Sequence, residues 1–206
     1  MDLVLFGIQG SGKGTQAKRL AAEFGYDIFE AGGELRKIAT SSSSLGEKVK
    51  SFIDAGHLVP HEIIMQVVKE AILARPKTQR ILFDGIPRDE NQMNGFDQIM
   101  KDVGREFRCI HILLNPDEGM KRILGRAKEE GRADDADTEI VQRRMQTFTE
   151  KTMPVIEKYK RERNMIEIDG MKSVQGVYRD MTEIINSKSS TLSRLKDFKN
   201  EDVGFA

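Results

Sequence analysis

One cysteine in 206 residues, Cys109, excludes an internal disulfide and a cysteine-rich zinc site. It sits in an apolar run, so it reads as a buried thiol and not a reactive one. An excess of charge of either sign is lacking too: 33 basic and 33 acidic residues cancel to a formal net charge of zero. Such a chain carries no electrostatic footprint for nucleic acid or an anionic membrane, and any anion binding must come from local clusters. No apolar run approaches the roughly 18 residues that span a bilayer, and Met1-Asp2-Leu3 lacks the charged start and cleavage site of a signal peptide. A soluble, cytoplasmic protein is expected. Internal repeats are absent, and the length suits one well-cored domain with small inserted lobes.

What is present is an alternation. Short apolar runs and longer helix-like segments succeed one another up to about Asn186, which predicts βα units around a parallel sheet. The candidate strands are Leu3 to Gly7, Asp27 to Glu30, Ile81 to Asp84, Cys109 to Leu114 and Met165 to Ile168. Their near-continuous Ile, Leu, Val and Phe content, as in Ile110-His111-Ile112-Leu113-Leu114, suits strands covered on both faces, so a three-layer α/β fold is expected. Two segments exceed a simple crossover. Between the second and third strands lie a Ser41 to Ser44 break, an amphipathic stretch from Leu45 to Ala55 and a Gly56-His57-Leu58-Val59-Pro60 turn, enough chain for a small helical lobe over about 30–60. Residues 126–137 are highly charged with almost no apolar side chains, and a mobile surface loop between helices is expected there. One domain is thus expected over 1–186, with 187–206 as a linker and a tail of at most one short helix.

The segment Gly7-Ile8-Gln9-Gly10-Ser11-Gly12-Lys13-Gly14-Thr15 directly follows the first apolar run. Its glycines let successive backbone N–H groups converge on anionic oxygens, and Lys13 adds a mobile positive charge. The helix expected from Thr15 onward aims its positive dipole end at the same place. The spacing matches the phosphate-binding loop G-x-x-x-x-G-K-[ST] as far as Lys13, but Gly14 follows and the hydroxyl arrives one position later, at Thr15.

Ile81-Leu82-Phe83-Asp84 ends an apolar strand in a carboxylate, the placement that could hold Mg²⁺ beside a phosphate loop, directly or through water. Gly85-Ile86-Pro87-Arg88 then brings an arginine to the same edge. Arginine holds phosphate through a planar fork that binds two oxygens and keeps its charge. Arg36, Arg88, Arg122, Arg126, Arg132, Arg143 and Arg144 cluster around the two unusual segments and this turn.

Together, Gly7 to Gln16, Asp84-Gly85-Ile86-Pro87-Arg88 with Gln92, and the Arg126 to Arg144 region resemble the nucleoside monophosphate kinases, most nearly the adenylate kinases, over about residues 1–186. The resemblance implies a P-loop NTPase-like fold with a five-stranded parallel sheet, a helical lobe binding the nucleoside monophosphate (NMP) and a short lid without zinc. It implies a monomer that transfers a phosphoryl group reversibly from ATP to AMP with Mg²⁺. It puts ATP phosphates on Gly10, Ser11, Gly12, Lys13, Gly14 and Thr15, and Arg122 and Arg126 beside ATP. The ATP base falls near the backbone of Lys172. The AMP phosphate falls on Arg36 and Arg88, and the AMP base near Ala31, His57, Leu58, Val59, Gly85 and Gln92. Arg132 and one of Arg143 and Arg144 grip the transferring phosphoryl. Counting back from Met153-Pro154 selects Arg144, counting forward from Asp134-Asp135 selects Arg143, and helical phase favours Arg144. The catalytic set is then Lys13, Arg88, Arg126, Arg132 and Arg144, with Asp84 on Mg²⁺.

The departures bear on specificity. Where adenylate kinases commonly show Ser-Thr-Gly-Asp, this chain has Glu30-Ala31-Gly32-Gly33. Ala31 removes a hydroxyl near the acceptor base and is more like the UMP/CMP kinases, and Gly33 removes a carboxylate that could order Mg²⁺-bound water. Gln92 has the amide needed to read the Watson–Crick edge of adenine, and it tips the balance to AMP. A UMP/CMP kinase, a nucleotide-binding module without catalysis, and a P-loop kinase for another small metabolite stand as alternatives.

Overall fold

Alternation within the strands decides the layering. In β1 (Asp2–Phe6), buried along its whole length, Leu3 and Leu5 face one side of the sheet while Val4 and Phe6 face the other. The computed structural model describes residues 1–130, 137–162 and 164–186, with 126–130 described as backbone only. β2 (Asp27–Glu30), β3 (Ile81–Asp84), β4 (Phe107–Leu113) and β5 (Met165–Asp169) complete a sheet of order β2-β3-β1-β4-β5. Every pairing is parallel, with Leu5 beside Asp84 and Ile110, and Glu30 beside Asp84. The expected α/β class and five-stranded parallel sheet are both present.

Helices cover both faces. The Leu3 and Leu5 face packs on α1 (Lys13–Phe24), through Ala17 and Leu20, and on the helix over 174–186, through Val177, Tyr178 and Met181. The Val4 and Phe6 face packs on α4 (His61–Leu73), α5 (Glu90–Asp102) and α8 (Met153–Arg161), through Ile64, Val68, Met93, Phe96 and Tyr159. Phe83 and Phe96 meet edge to face at 5.0 Å in this layer. Cys109 is buried, as its apolar setting predicts, and burial pushes its thiol well up.

Between β2 and β3 the chain forms α2 (Ala31–Ala39) and α3 (Ser44–Asp54) before α4. The serine run separates α2 from α3, and Ser43 caps α3 by accepting from the Gly46 N–H at 3.0 Å. A third small core, Ile8 with Ile123, Val141 and Met145, fixes α6 (Pro116–Glu130) and α7 (Thr138–Thr147) over the phosphate loop. A π-helical turn (Phe148–Thr152) joins α7 to α8.

β1, β4 and β5 are each displaced by one residue at one end or both from the expected strands, and three boundaries differ by two residues or more. α1 starts at Lys13, two residues before Thr15, because the glycine-rich turn closes at Gly12. β4 starts at Phe107, since Asp2 and Leu3 pair with Phe107 and Arg108. α6 runs through Glu130 where a loop from Arg126 is expected: Arg126-Ala127-Lys128-Glu129-Glu130 is polar, but every member is a good helix former. Residues 131–136 and the tail lie outside the described residues. No helix among the described residues is long and apolar enough to cross a membrane.

Candidate active site

The loop from Gly7 to Gly12 links β1 to α1 at the C-terminal edge of the sheet. Gly10 has φ 80°, and a Cβ there would lie 2.5 Å from the Gly119 carbonyl oxygen, so the close approach of α6 to the loop requires glycine. Gly12, at φ 91°, begins α1 with no side-chain cap, and no acid stands in the first turn. The first N–H groups and the positive end of the helix dipole are thereby left for an external anion. Lys13 Nζ donates to the carbonyls of Gly7 at 2.7 Å and Ile8 at 3.2 Å, which holds its charge over the loop. The Ser11 hydroxyl is buried with no hydrogen-bond partner among the described residues.

Asp84 ends β3 beside that loop. It is only 9% exposed, and burial pushes its carboxyl up, opposed chiefly by the charge of Lys13. The next residue, Gly85, takes φ 83°; a Cβ there would sit 2.8 Å from Nη2 of Arg88, so the left-handed turn also clears space for the guanidinium. Three bonds then fix Arg88. Its Nε donates to the Gly85 carbonyl at 2.8 Å, its backbone N–H to Gln92 Oε1 at 2.8 Å, and its own carbonyl accepts from the Thr152 hydroxyl at 2.8 Å. Burial presses the Arg88 guanidinium down from its usual range while Asp84 opposes that, and Arg144, Glu30 and Arg36 all act on it as well. Five charged groups therefore share one small volume.

They line a cleft. Of the residues expected at the acceptor, Ala31, Arg36, His57, Leu58, Val59, Gly85, Arg88, Gln92 and Arg144 all face it, and Lys13 enters from the phosphate loop. The two neighbouring arginines on α7 have different surroundings. Arg144 lines the cleft, whereas Arg143 donates to the Ala55 carbonyl at 2.6 Å, away from it. Gln92 is buried at 3% exposure and works as part of the α5 N-terminus: Asp89 accepts from the Gln92 N–H at 2.8 Å, and Gln92 reaches back to the Arg88 N–H. This is the reciprocal logic of a capping box, and it commits the carbonyl of Gln92, leaving the NH₂ as the donor it can offer.

Lys13 apart, the described donor-side residues do not line this cleft and lie along the loop and by the edge of β5. α6 touches the loop at Gly119; one turn on, Arg122 pairs with Glu118 at 2.8 Å and donates to the Gly170 carbonyl at 3.2 Å. Lys172 follows in the next turn, its Nζ on Asp180 at 2.5 Å. Nearby, Gln16 donates to the Val174 carbonyl at 2.9 Å. The Arg126 side chain and all of Arg132 lie outside the described residues.

Several lining residues escape the sequence reading: Gln9, Glu30, Thr147, Phe148 and Thr152. Gln9 Nε2 contacts the Arg144 carbonyl at 3.4 Å, tying the phosphate loop to α7. Glu30 pairs with Arg36 at 2.9 Å. Its signal was available, since Asp27-Ile28-Phe29-Glu30 is a strand ending in a carboxylate, the same pattern that singles out Asp84.

Comparison with known proteins agrees with this geometry. The adenylate kinase family model matches residues 5–164. The adenylate kinase of Thermus thermophilus is 34% identical over 177 residues, 85% of this chain and 92% of that protein. That of Maricaulis maris is 32% identical over 189 residues, 91% of this chain and all of the relative. That of Bacteroides thetaiotaomicron is 30% identical over 187 residues, 90% and 98% respectively. A match that includes the phosphate loop, the arginine turn and α7 together, in relatives aligned almost end to end, makes this chain a member of the adenylate kinase family.

Proposed function

We propose that the chain catalyses reversible transfer of the γ-phosphoryl group of ATP to AMP, giving two ADP. The observation that carries this reading is the second anion site: Arg36, Arg88 and Arg144 converge in a cleft that Lys13 enters from the phosphate loop. An oxygen of the acceptor phosphate attacks the γ-phosphorus as the bond to the β–γ bridging oxygen breaks. Little covalent work falls to the protein, so alignment and charge neutralisation supply the rate. The N–H groups of Gly10 to Thr15 and Lys13 hold the donor phosphates, with Arg122 and Arg126 beside them and the Lys172 backbone at the donor base. Arg36 and Arg88 hold the acceptor phosphate, and Arg132 and Arg144 meet the transferring group. Residues 126–137 serve as the lid and α2 with α3 as the acceptor lobe.

The residues suit Mg²⁺. Asp84 is a nearly buried carboxylate, and the first turn of α1 passes close enough that a Cβ on Gly14 would be 4.0 Å from its Oδ2. That carboxylate, the Thr15 hydroxyl, water and phosphate oxygens would hold the ion. When bound, the ion would neutralise charge on the donor phosphates.

The acceptor base follows from Gln92. With its carbonyl committed to Arg88, its NH₂ needs an acceptor on the ligand; adenine N1 and cytosine N3 provide one, whereas guanine and uracil present an N–H there. The apolar wall of Leu35, Ile53, Val59 and Ile64 gives a purine more area to bury than a pyrimidine. CMP is the second reading, favoured by the absence of a hydroxyl at Ala31, which is 2% exposed. A coupled assay of ADP production across AMP, CMP, UMP and GMP decides. AMP is expected to lead, CMP to follow, and UMP and GMP to fall at least about tenfold behind, the size of one lost hydrogen bond to the base. Lys13→Met should cut turnover by about 10² or more. A variant at wild-type rates, or CMP tenfold better than AMP, overturns the assignment.

A further inference from the structure

Glu30 and Asp84 are register partners at the ends of neighbouring parallel strands, about 4.8 Å apart. Two carboxylates side by side at a phosphate-binding edge repel each other and the substrate. Glu30 contributes to the upward push on Asp84. Its own carboxylate is turned to Arg36, with Oε1 2.9 Å from Nη2. Glu30 is the N-cap residue of α2, yet its side chain makes no capping hydrogen bond, so the helix is not what holds it there. Gly32 and Gly33, which follow Ala31, leave the pair its space. A Cβ on Gly32 would lie 3.1 Å from Arg36 Nη1, and one on Gly33 3.0 Å from Glu30 Oε2.

We propose that Glu30 is an internal competitor for the acceptor-phosphate site: its carboxylate holds Arg36 before the nucleotide binds and must be displaced for a nucleoside monophosphate to enter. The inference rests on the functional reading above, in which Arg36 binds the acceptor phosphate. The strength of the pair suits such exchange. The two side chains are 42% and 48% exposed, in the range where ion pairs are weak, and a phosphate offers the guanidinium two oxygens and a second charge. The pair keeps Arg36 pre-aimed along the cleft wall while lowering the net affinity for the monophosphate. Glu30 is therefore a positioning residue whose charge sets the acceptor affinity.

Titration calorimetry of AMP and of adenosine into the wild-type chain and into Glu30→Gln tests this. Glutamine keeps the shape and removes the charge, so AMP should bind about three- to tenfold more tightly. Adenosine, which has no phosphate to compete, should gain nothing. Glu30→Ser, which removes the side chain's reach as well as its charge, should reproduce the gain for AMP. AMP binding unchanged or weakened in both variants overturns the proposal, as does an equal gain for adenosine. A wild-type chain that binds no AMP at all overturns the functional reading itself, which keeps the two failures distinguishable.

Discussion

In the proposed reaction Asp84 must be charged to hold Mg²⁺, yet that charge need not help the fold. Its folded-state pKa lies above the unfolded value of about 3.9, because burial outweighs Lys13 and Arg88. The folded chain therefore holds that proton more tightly than the unfolded chain, and stability falls as pH rises from the unfolded value through the raised one. Asp84→Asn, neutral at every pH, should melt above the wild type at pH 7 with little catalytic activity left. Its advantage should shrink as pH drops through the raised pKa and vanish below about 4, where the wild-type carboxyl becomes protonated in both states. Melting curves at several pH values check this; an asparagine variant that melts lower than the wild type at pH 7 contradicts it. Gln92 carries a related lesson. From the sequence it is legible only as a base-reading amide, because the Asp89-x-x-Gln92 cap requires knowing that α5 begins at Glu90. Glu30 is harder still, since its pairing depends on α2 starting within one residue of β2.

At the scale of elements, the five strands and the phosphate loop could be read because both signals are local: a continuous apolar run, and glycines at fixed offsets. Strand order and the π-helical turn depend on packing that no window of sequence contains, whereas the reach of α6 follows from helix propensity that the polarity of Arg126 to Glu130 masks. The turn over Phe148–Thr152 shows what that hides. Phe148 and Thr152 line the cleft, and Thr152, 5% exposed, donates from that turn to the Arg88 carbonyl at 2.8 Å. Such wide turns tend to sit at functional sites, and here the turn joins α7, which carries Arg144, to the arginine turn after β3. Thr152→Val removes the hydrogen bond and nearly preserves the volume. Loss of one such bond weakens acceptor binding by about three- to tenfold, so KM for AMP should rise by that factor while KM for ATP moves less than about twofold. Steady-state kinetics with each substrate varied in turn measure both. Equal rises in the two constants would mean the turn supports the whole fold and not the acceptor side.

Across the whole molecule, chemistry and stability occupy opposite edges of the sheet. Asp84, the one expected site residue on a strand, lies at its C-terminal end, while the N-terminal edge holds a buried ion pair, Asp2 with Arg105, whose side chains are 3% and 6% exposed. Arg105 meets Asp2 through two bonds, Nε at 2.7 Å and Nη2 at 3.0 Å, and also donates to the Gln79 carbonyl. Asp2 in turn accepts from the Ile81 N–H at 2.8 Å, clamping β1 to β3 below the point where Leu5 meets Asp84. At about 3.3 Å per residue the five-residue β1 separates this clamp from the phosphate loop by roughly 13–16 Å, far enough for effects at the two ends to be independent. Removing one partner strands a buried charge, so Arg105→Leu should cost about 3–5 kcal/mol of stability. Asp2→Asn added to it keeps an oxygen for Ile81 and removes the stranded charge, which should recover a substantial part of that loss. Urea unfolding of the single and double variants gives both values, and turnover measured well below the melting transition should stay within about twofold of the wild type. A single variant that loses less than about 1 kcal/mol, or a double variant no more stable than the single one, would show that the pair does not carry the lower edge of the sheet.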